Sequence, residues 1–383
     1  MTPPPSSEAQ LTFLSKLQRL FSEGDFTATY KFALLIALAD LAVELGGDDG
    51  EPLKLHHRDI AAKFIELYWQ QTAPYSMGRP DSVAGVLSQN NGAPAAVINA
   101  ISEFRRVNPV GTAQSARLMH GYAELLKRVA QTVSAQPVNY LQNLGGQTDP
   151  FLFERHTGAV ILNPGVAFCL RRFQPLVQQL SRSRWVAHIK RNTRNLPWLG
   201  VTDDLAAFLF ETPRQALVVI GNGLRKLAGG HCFYCESHVA EADVDHFIPF
   251  SLYPRDLMHN FVLAHPSCNR SKSNTLAARP HLQRWLDQMT RHDDALHEIG
   301  EAAGLSAEID ASKSVARWGY SNAASSGGQA WIRPKMYESI DFEFGQAGLN
   351  ADEADSGAVT LIQRFGSAAN LMVQPQYPRY ASH

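Results

Sequence analysis

Three of the four cysteines fall between positions 232 and 268, and their spacing constrains the fold more than any other feature of the chain. Two residues separate Cys232 from Cys235, and two separate His265 from Cys268. That spacing lets each loop aim both side chains at one ion. Two such knuckles make a closed tetrahedral Cys₃His site, the usual form of structural Zn²⁺. A bound ion would staple a small element whose own core is thin. A redox reading of Cys232-x-x-Cys235 needs the motif to open a helix after a strand, and it leaves the second knuckle unexplained. His259 lies close enough to stand in as fourth ligand, although the spacing favours His265. Cys169, alone in the apolar GVAFCL, reads as a buried small hydrophobe. Four cysteines in 383 residues argue against a disulfide framework.

The rest of the chain surrounds that element with helical signals. LTFLSKLQRLF places Leu11, Leu14, Leu17 and Phe21 on one face, and ATYKFALLIALADLAVEL is apolar nearly all round, as a core helix is. Further helical periodicity covers about 56–70, 93–106, 115–133 and 211–230, then PHLQRWLDQM, DDALHEIGEAAGL and SKSVARWGYSNAA. Two short apolar runs flank His156-Thr157-Gly158, which predicts a hairpin over 151–162. From Ser325 the chain is turn-rich. The expected fold is mainly α with a small α+β zinc-stabilised unit. The expected organisation is a mostly helical domain over 1–210, a zinc-bearing domain over 211–300 with its core at 231–274, a helical or irregular extension over 301–345, and a poorly ordered tail over 346–383.

A hydrophobic fraction of 45% suffices for more than one core, and 19% charged residues argue against disorder. A net charge of −1 excludes a globally basic nucleic-acid coat, so contact with a polyanion has to come from a local patch. One candidate exists. RRFQPLVQQLSRSRWVAHIKRNTR carries Arg171, Arg172, Arg182, Arg184, Lys190, Arg191 and Arg194, and no acidic residue occurs between Glu154 and Asp203. It reads either as a solvated helix face or as a phosphate-contacting surface with Trp185 as a stacking anchor. The sequence has no run of about 18 apolar residues for a spanning helix. MTPPPSSEAQ lacks the charged and apolar regions of a signal peptide. A cytoplasmic chain with no membrane partner is the expectation.

Between the two knuckles, Asp243-Val-Asp245-His246-Phe-Ile-Pro249 alternates like a strand and then meets proline. Asn260 precedes the apolar FVLA, and Cys268-Asn269-Arg270-Ser271-Lys272 opens a helix. This segment resembles the HNH endonucleases on the ββα-metal fold, in their zinc-ribbon-containing branch. The shared pattern is a C-x-x-C knuckle, D-H-x-x-P, an Asn before a short strand, and a second knuckle running into C-N-x-x-K. The likeness covers about 231–280. It departs at His265, where cysteine is commoner, which touches the zinc site and not the catalytic core.

The resemblance implies metal-assisted hydrolysis of a nucleic-acid phosphodiester. It makes His246 the general base, a task suited to an imidazole at neutral pH. It makes Asp245 and Asn269 the oxygen ligands of a catalytic Mg²⁺ or Mn²⁺, and Asn260 the residue that shapes the His-bearing loop. Lys272 and Arg270 are candidates to meet phosphate near the helix N-terminus. Taken singly, an Asp-His pair before Pro is a turn, Asn269 a helix cap and Lys272 a solvated face.

The phrases DFTATYKFALLIALADLAVE and ARWGYSNAASSGGQAWI resemble segments of bacterial proteins with a central HNH domain, which suggests a DNA-binding, sensing or dimerising role for the helical domain. DSGAVTLIQRFGSAANL (355–371) resembles a stretch of rolling-circle-type insertion-sequence transposases without their histidine motif. It implies no transposase activity, and residues after about 345 are expected to pack poorly. A mobile neighbourhood fits anti-phage defence or restriction. Three functions stay open: a DNA endonuclease, a non-catalytic zinc-ribbon nucleic-acid-binding protein, and an RNA-directed nuclease or toxin. Duplex DNA is the favoured partner, with a homodimer or a regulatory protein partner left open.

Overall fold

The computed structural model describes residues 2–75, 84–92, 94–199 and 204–341. Helices dominate and the sheets are small, so the fold is mainly α with minor β. A helix that is apolar on every side has to be surrounded. Tyr30–Leu45 is such a helix, buried from Tyr30 to Val43. Around it pack the helices His57–Trp69, Val166–Arg172 and Gln174–Arg191, and this apolar cluster takes in most of the N-terminal half. Strands Phe153–His156 and Ala159–Leu162 form an antiparallel hairpin turned at Gly158, whose φ of +73° favours glycine. Leu53–His56 pairs along the other side of Ala159–Leu162 and makes a third strand.

The C-terminal body is built on an antiparallel pair. Asp243–His246 lies beside Phe261–Ala264, with Asp245 opposite Val262 and His246 opposite Phe261. The helix Pro266–Lys272 follows directly. Helix Arg214–Leu227 covers one face of the pair, where Ile220 and Leu224 meet Phe261 and Leu263. The other face belongs to a larger cluster containing Tyr234, Phe247, Trp285, Trp318 and Trp331.

The two helical stretches read beyond position 279 join into one run, Arg279–Ala303, broken at His292 (φ −126°, ψ 24°). The chain after Ser325, read as turn-rich, supplies strands Gln329–Arg333 and Met336–Ser339. The first of these pairs in parallel with Leu276–Ala277. Such short strands leave little periodicity, and their partner lies far back in the chain. One apolar cluster reaches from Cys232 to Ile340, so the residues after 300 close the same core. Among the described residues no helix is long and apolar enough to cross a membrane. The tail, with its insertion-sequence likeness and its expected poor packing, lies outside the described residues.

Candidate active site

Helix Arg214–Leu227 ends in Gly229 and Gly230, both in the left-handed region (φ +57° and +75°), which turn the chain into the first knuckle. The knuckle is closed by the Cys232 N–H donating to Ser237 O (2.9 Å) and the Glu236 N–H to Cys232 O (2.9 Å). The second knuckle arises because the strand Phe261–Ala264 stops at His265, the N-cap of the next helix, which puts Cys268 in its first turn.

The ligand atoms of Cys232, Cys235, His265 and Cys268 all lie within 4.8 Å of one another. Sγ of Cys235 is 3.2 Å from Nδ1 of His265, whose Nε2 sits 3.1 Å from His238 O. A carbonyl can only accept, so Nε2 carries the proton and Nδ1 keeps its lone pair for an ion. The His265 backbone N–H points at Cys232 Sγ (3.3 Å). Burial, followed by the neighbouring Cys232 and Cys235 sulfurs, pushes the Cys268 thiol up to about 12. A bound cation would relieve that repulsion on Cys268 by neutralising the adjacent sulfurs. Donor set, closeness and outer hydrogen bonds all fit Zn²⁺. His259 is not part of the cluster. It is buried elsewhere, with Nε2 3.0 Å from Asp293 Oδ1.

On a strand, residues two apart share a face and neighbours point oppositely. Asp243 and Asp245 accordingly face the helix Pro266–Lys272, where Asn269 and Lys272, three apart, share one side. Asn269 Nδ2 donates to Asp243 Oδ2 (3.1 Å). Asp245 Oδ2 accepts from the Tyr234 hydroxyl (2.6 Å) and lies 3.1 Å from Lys272 Nζ. Among the described residues, Oδ1 of Asp243, of Asp245 and of Asn269 has no hydrogen-bond partner. This oxygen-only set matches the chemistry of a hard ion such as Mg²⁺ or Mn²⁺. Sequence reasoning paired Asn269 with Asp245, whereas the structure sets Asn269 against Asp243.

His246 projects to the opposite face. Its ring packs on Phe261 (centroids 4.5 Å apart) and Phe250 (5.2 Å), and its Nε2 lies 2.6 Å from Asp256 Oδ1. The side chain is 24% exposed, enough for a substrate to reach it. Asn260 is buried at the start of the second strand. Its Oδ1 accepts from the Ile248 N–H (2.7 Å) and its Nδ2 donates to Ile248 O (2.9 Å), clasping the segment after His246.

Several expected phosphate contacts are not available. Lys272 is fully buried, and its ammonium donates to His246 O (2.8 Å) besides pairing with Asp245. It is an internal counter-ion. Arg182 stacks over Phe210 and donates to Pro254 O (2.6 Å), so it joins the two bodies. Trp185 is fully buried with its indole N–H on Gln89 Oε1 (3.1 Å), which excludes it as a stacking platform. Arg171 is also buried, tied to Asp48 and to the carbonyls of Ala42 and Val43. Arg172 bonds Asn322. Only Arg184, Lys190, Arg191 and Arg194 of that run are exposed, as is Arg270.

Comparison with known families matches two separate stretches of the chain. Residues 10–202, half of its length, match the family described as Domain of unknown function (DUF8808). The chain belongs to the DUF8808 family. In this DUF8808 protein, residues 234–278 also match the HNH endonuclease family. That match spans the Asp243–His246 strand, Asn260 and Asn269, and it begins just after Cys232. No curated protein and no solved structure matches the chain. Sequence reasoning missed Tyr234, Asp243 and Asp256. The alternation of Asp243 and Asp245 was a usable signal for the second of these, while nothing local marks Asp256 as the partner of His246.

Proposed function

We propose that this DUF8808 protein is a metal-dependent endonuclease that hydrolyses phosphodiester bonds of duplex DNA. The observation that carries this reading is the match of residues 234–278 to the HNH endonuclease family, across a segment in which His246 is held by Asp256 (2.6 Å) and Asp243, Asp245 and Asn269 supply oxygen donors. In-line displacement needs help on two sides of phosphorus, at the attacking water and at the departing oxygen. His246 takes the proton from water. Asp245 and Asn269, with Asp243 beside them, would hold the divalent ion. When bound, that ion supplies charge stabilisation to the phosphate and the leaving oxygen. The four-residue cluster keeps strand and helix in register as a structural zinc site. Asn260 holds the backbone that follows His246. Arg270 and the exposed Arg184, Lys190, Arg191 and Arg194 are the phosphate contacts compatible with burial.

The test is plasmid cleavage. Purified protein with Mg²⁺ or Mn²⁺ is offered supercoiled plasmid and, separately, structured RNA, beside His246→Ala. The expected outcome is nicked or linear plasmid with wild type and none with the variant, both carrying zinc. Equal behaviour of the two proteins defeats the catalytic reading and leaves a zinc-bearing binding protein. Cleavage of RNA in place of plasmid overturns the substrate.

A further inference from the structure

The segment joining the two strands of the hairpin is anchored in the DUF8808 domain. Tyr253 donates to Glu44 Oε1 (2.7 Å), which also holds Lys63 (2.7 Å). Arg182 reaches across to Pro254 O (2.6 Å). The Arg255 guanidinium bonds Glu66 and lies 3.5 Å from Asp40 Oδ2. Glu66 is braced from its other side by Arg117 (2.6 Å). Exposure of these ionic side chains runs from 0 to 20%, so the contacts are desolvated and hold a geometry that surface pairs do not.

The residue after Arg255 is Asp256, the partner of His246 at 2.6 Å, with its side chain only 10% exposed. Burial works to raise the Asp256 carboxyl, but the bond to His246, then Thr212 and Arg255, hold it below the usual carboxylate range. An ionised carboxylate only accepts, so Nε2 of His246 must donate and Nδ1 is left with the lone pair.

We propose that Asp256 is a positioning residue that fixes the Nε2–H tautomer of His246 and presents Nδ1 as the base, and that the DUF8808 domain holds Asp256 in place through Arg255. The proposal rests on His246 being the base. An imidazole free to rotate or to switch tautomer spends part of its time with a proton where the lone pair is needed. The domain of 10–202 then acts on the chemistry by gripping one loop, a role separate from any phosphate contact its exposed basic residues make.

The experiment uses the full, zinc-loaded chain and two readouts. Nitrogen-15 histidine NMR reports which ring nitrogen of His246 is protonated, with the signal assigned by its loss in His246→Gln. Plasmid cleavage gives kcat and KM. Wild type is expected as Nε2–H. Asp256→Asn is expected to lower kcat on the order of 100-fold, at the low end of what a placed base contributes, with KM little changed and the tautomer no longer unique. Asp256→Glu is expected to recover part of the rate. Arg255→Gln should lower kcat less, and Arg255→Gln/Asp256→Asn should be no worse than Asp256→Asn alone, because both losses run through one group. Tyr253→Phe, which removes only the hydroxyl held by Glu44, covers the case that Arg255→Gln does not fold and should lower kcat in the same direction. An Nδ1–H tautomer in wild type, an unchanged kcat in Asp256→Asn, or additive losses in the double variant each overturn the proposal. If His246→Ala cleaves normally, the base assignment itself falls. If it is dead while Asp256→Asn is fully active, only the positioning claim does.

Discussion

The ammonium of Lys272 sits 3.1 Å from Oδ2 of Asp245, with no part of the Lys272 side chain exposed. Burial lowers the lysine's affinity for its proton, and Asp245 is what opposes that shift. Asp245 has a second donor in Tyr234, whose phenol is kept protonated first by burial and then by the adjacent carboxylate. Removing one member of a buried pair leaves an uncompensated charge, at about 3–5 kcal/mol. Lys272→Met should therefore lower the thermal stability of the zinc-loaded protein by that order, and Asp245→Asn/Lys272→Met should recover most of it. Unfolding curves check this. A Lys272→Met protein of normal stability but weakened DNA binding would instead make Lys272 a phosphate contact.

Zinc removal should behave as loss of a structural staple. The purified chain is expected to hold one zinc per molecule by elemental analysis, and cobalt substitution should give the spectrum of a tetrahedral site with three sulfurs and one nitrogen. Cys235→Ser and Cys268→Ser should lose the ion and unfold on the C-terminal side. His259→Ala should keep it, because its Nε2 is held by Asp293 (3.0 Å) away from the cluster. Zinc loss in His259→Ala with retention in His265→Ala would reverse the choice of fourth ligand.

The Cys/His cluster was legible because coordination imposes a spacing on the sequence itself, and the apolar Tyr30–Leu45 helix because its composition excludes a solvated face. The basic run 171–194 misled. Charge along a chain does not reveal which side chains turn inward, and Arg171 and Arg182 are bound to carbonyls and carboxylates brought from elsewhere. Trp185 is an ordinary core residue of a helix whose buried side is otherwise largely polar. The strands after Ser325 carried no pattern because each is four or five residues long. Asp256 is the instructive miss. Its role follows from a loop conformation set by Arg255 and Tyr253, which in turn depends on carboxylates more than a hundred positions away.

The acid dependence of stability should carry two opposed components from the interface between the bodies. Burial pushes the fully enclosed Asp40 carboxyl up to about 6, against the pull of Arg255 and Lys63. Its native form binds protons more tightly than the unfolded chain, so its cost is full above about pH 6 and is relieved as pH falls toward the ordinary range near ~4. For Glu66, burial is outweighed by Lys63, Arg255 and Arg117, which bring it down to about 2. Its contribution is present above the ordinary glutamate range and is lost as pH falls toward 2. The stability of Asp40→Asn relative to wild type should therefore be higher at pH 7 than at pH 4.5, on top of a pH-independent cost for the lost pairing with Arg255. Denaturant unfolding at the two pH values checks it, and a difference that does not change with pH would count against the assignment.

Arg184 and Arg191 lie seven residues apart on the helix Gln174–Arg191, both exposed and on the same side, whereas Arg182 of that helix is committed to Pro254. If the exposed pair meets DNA phosphates, each replacement releases fewer counterions on binding. Arg184→Ala and Arg191→Ala should each weaken binding uniformly across sequences and reduce the slope of log affinity against log salt by about 1. Arg182→Met should leave that slope unchanged and lower the melting temperature, because it breaks a desolvated contact between the two bodies and strips the cation from the Phe210 ring. Fluorescence anisotropy over a salt series, run on His246→Ala to prevent cleavage, separates these outcomes. An unchanged slope in the Arg184→Ala/Arg191→Ala double variant would return this helix face to plain solvent and move the search for the DNA surface to the neighbourhood of Arg270.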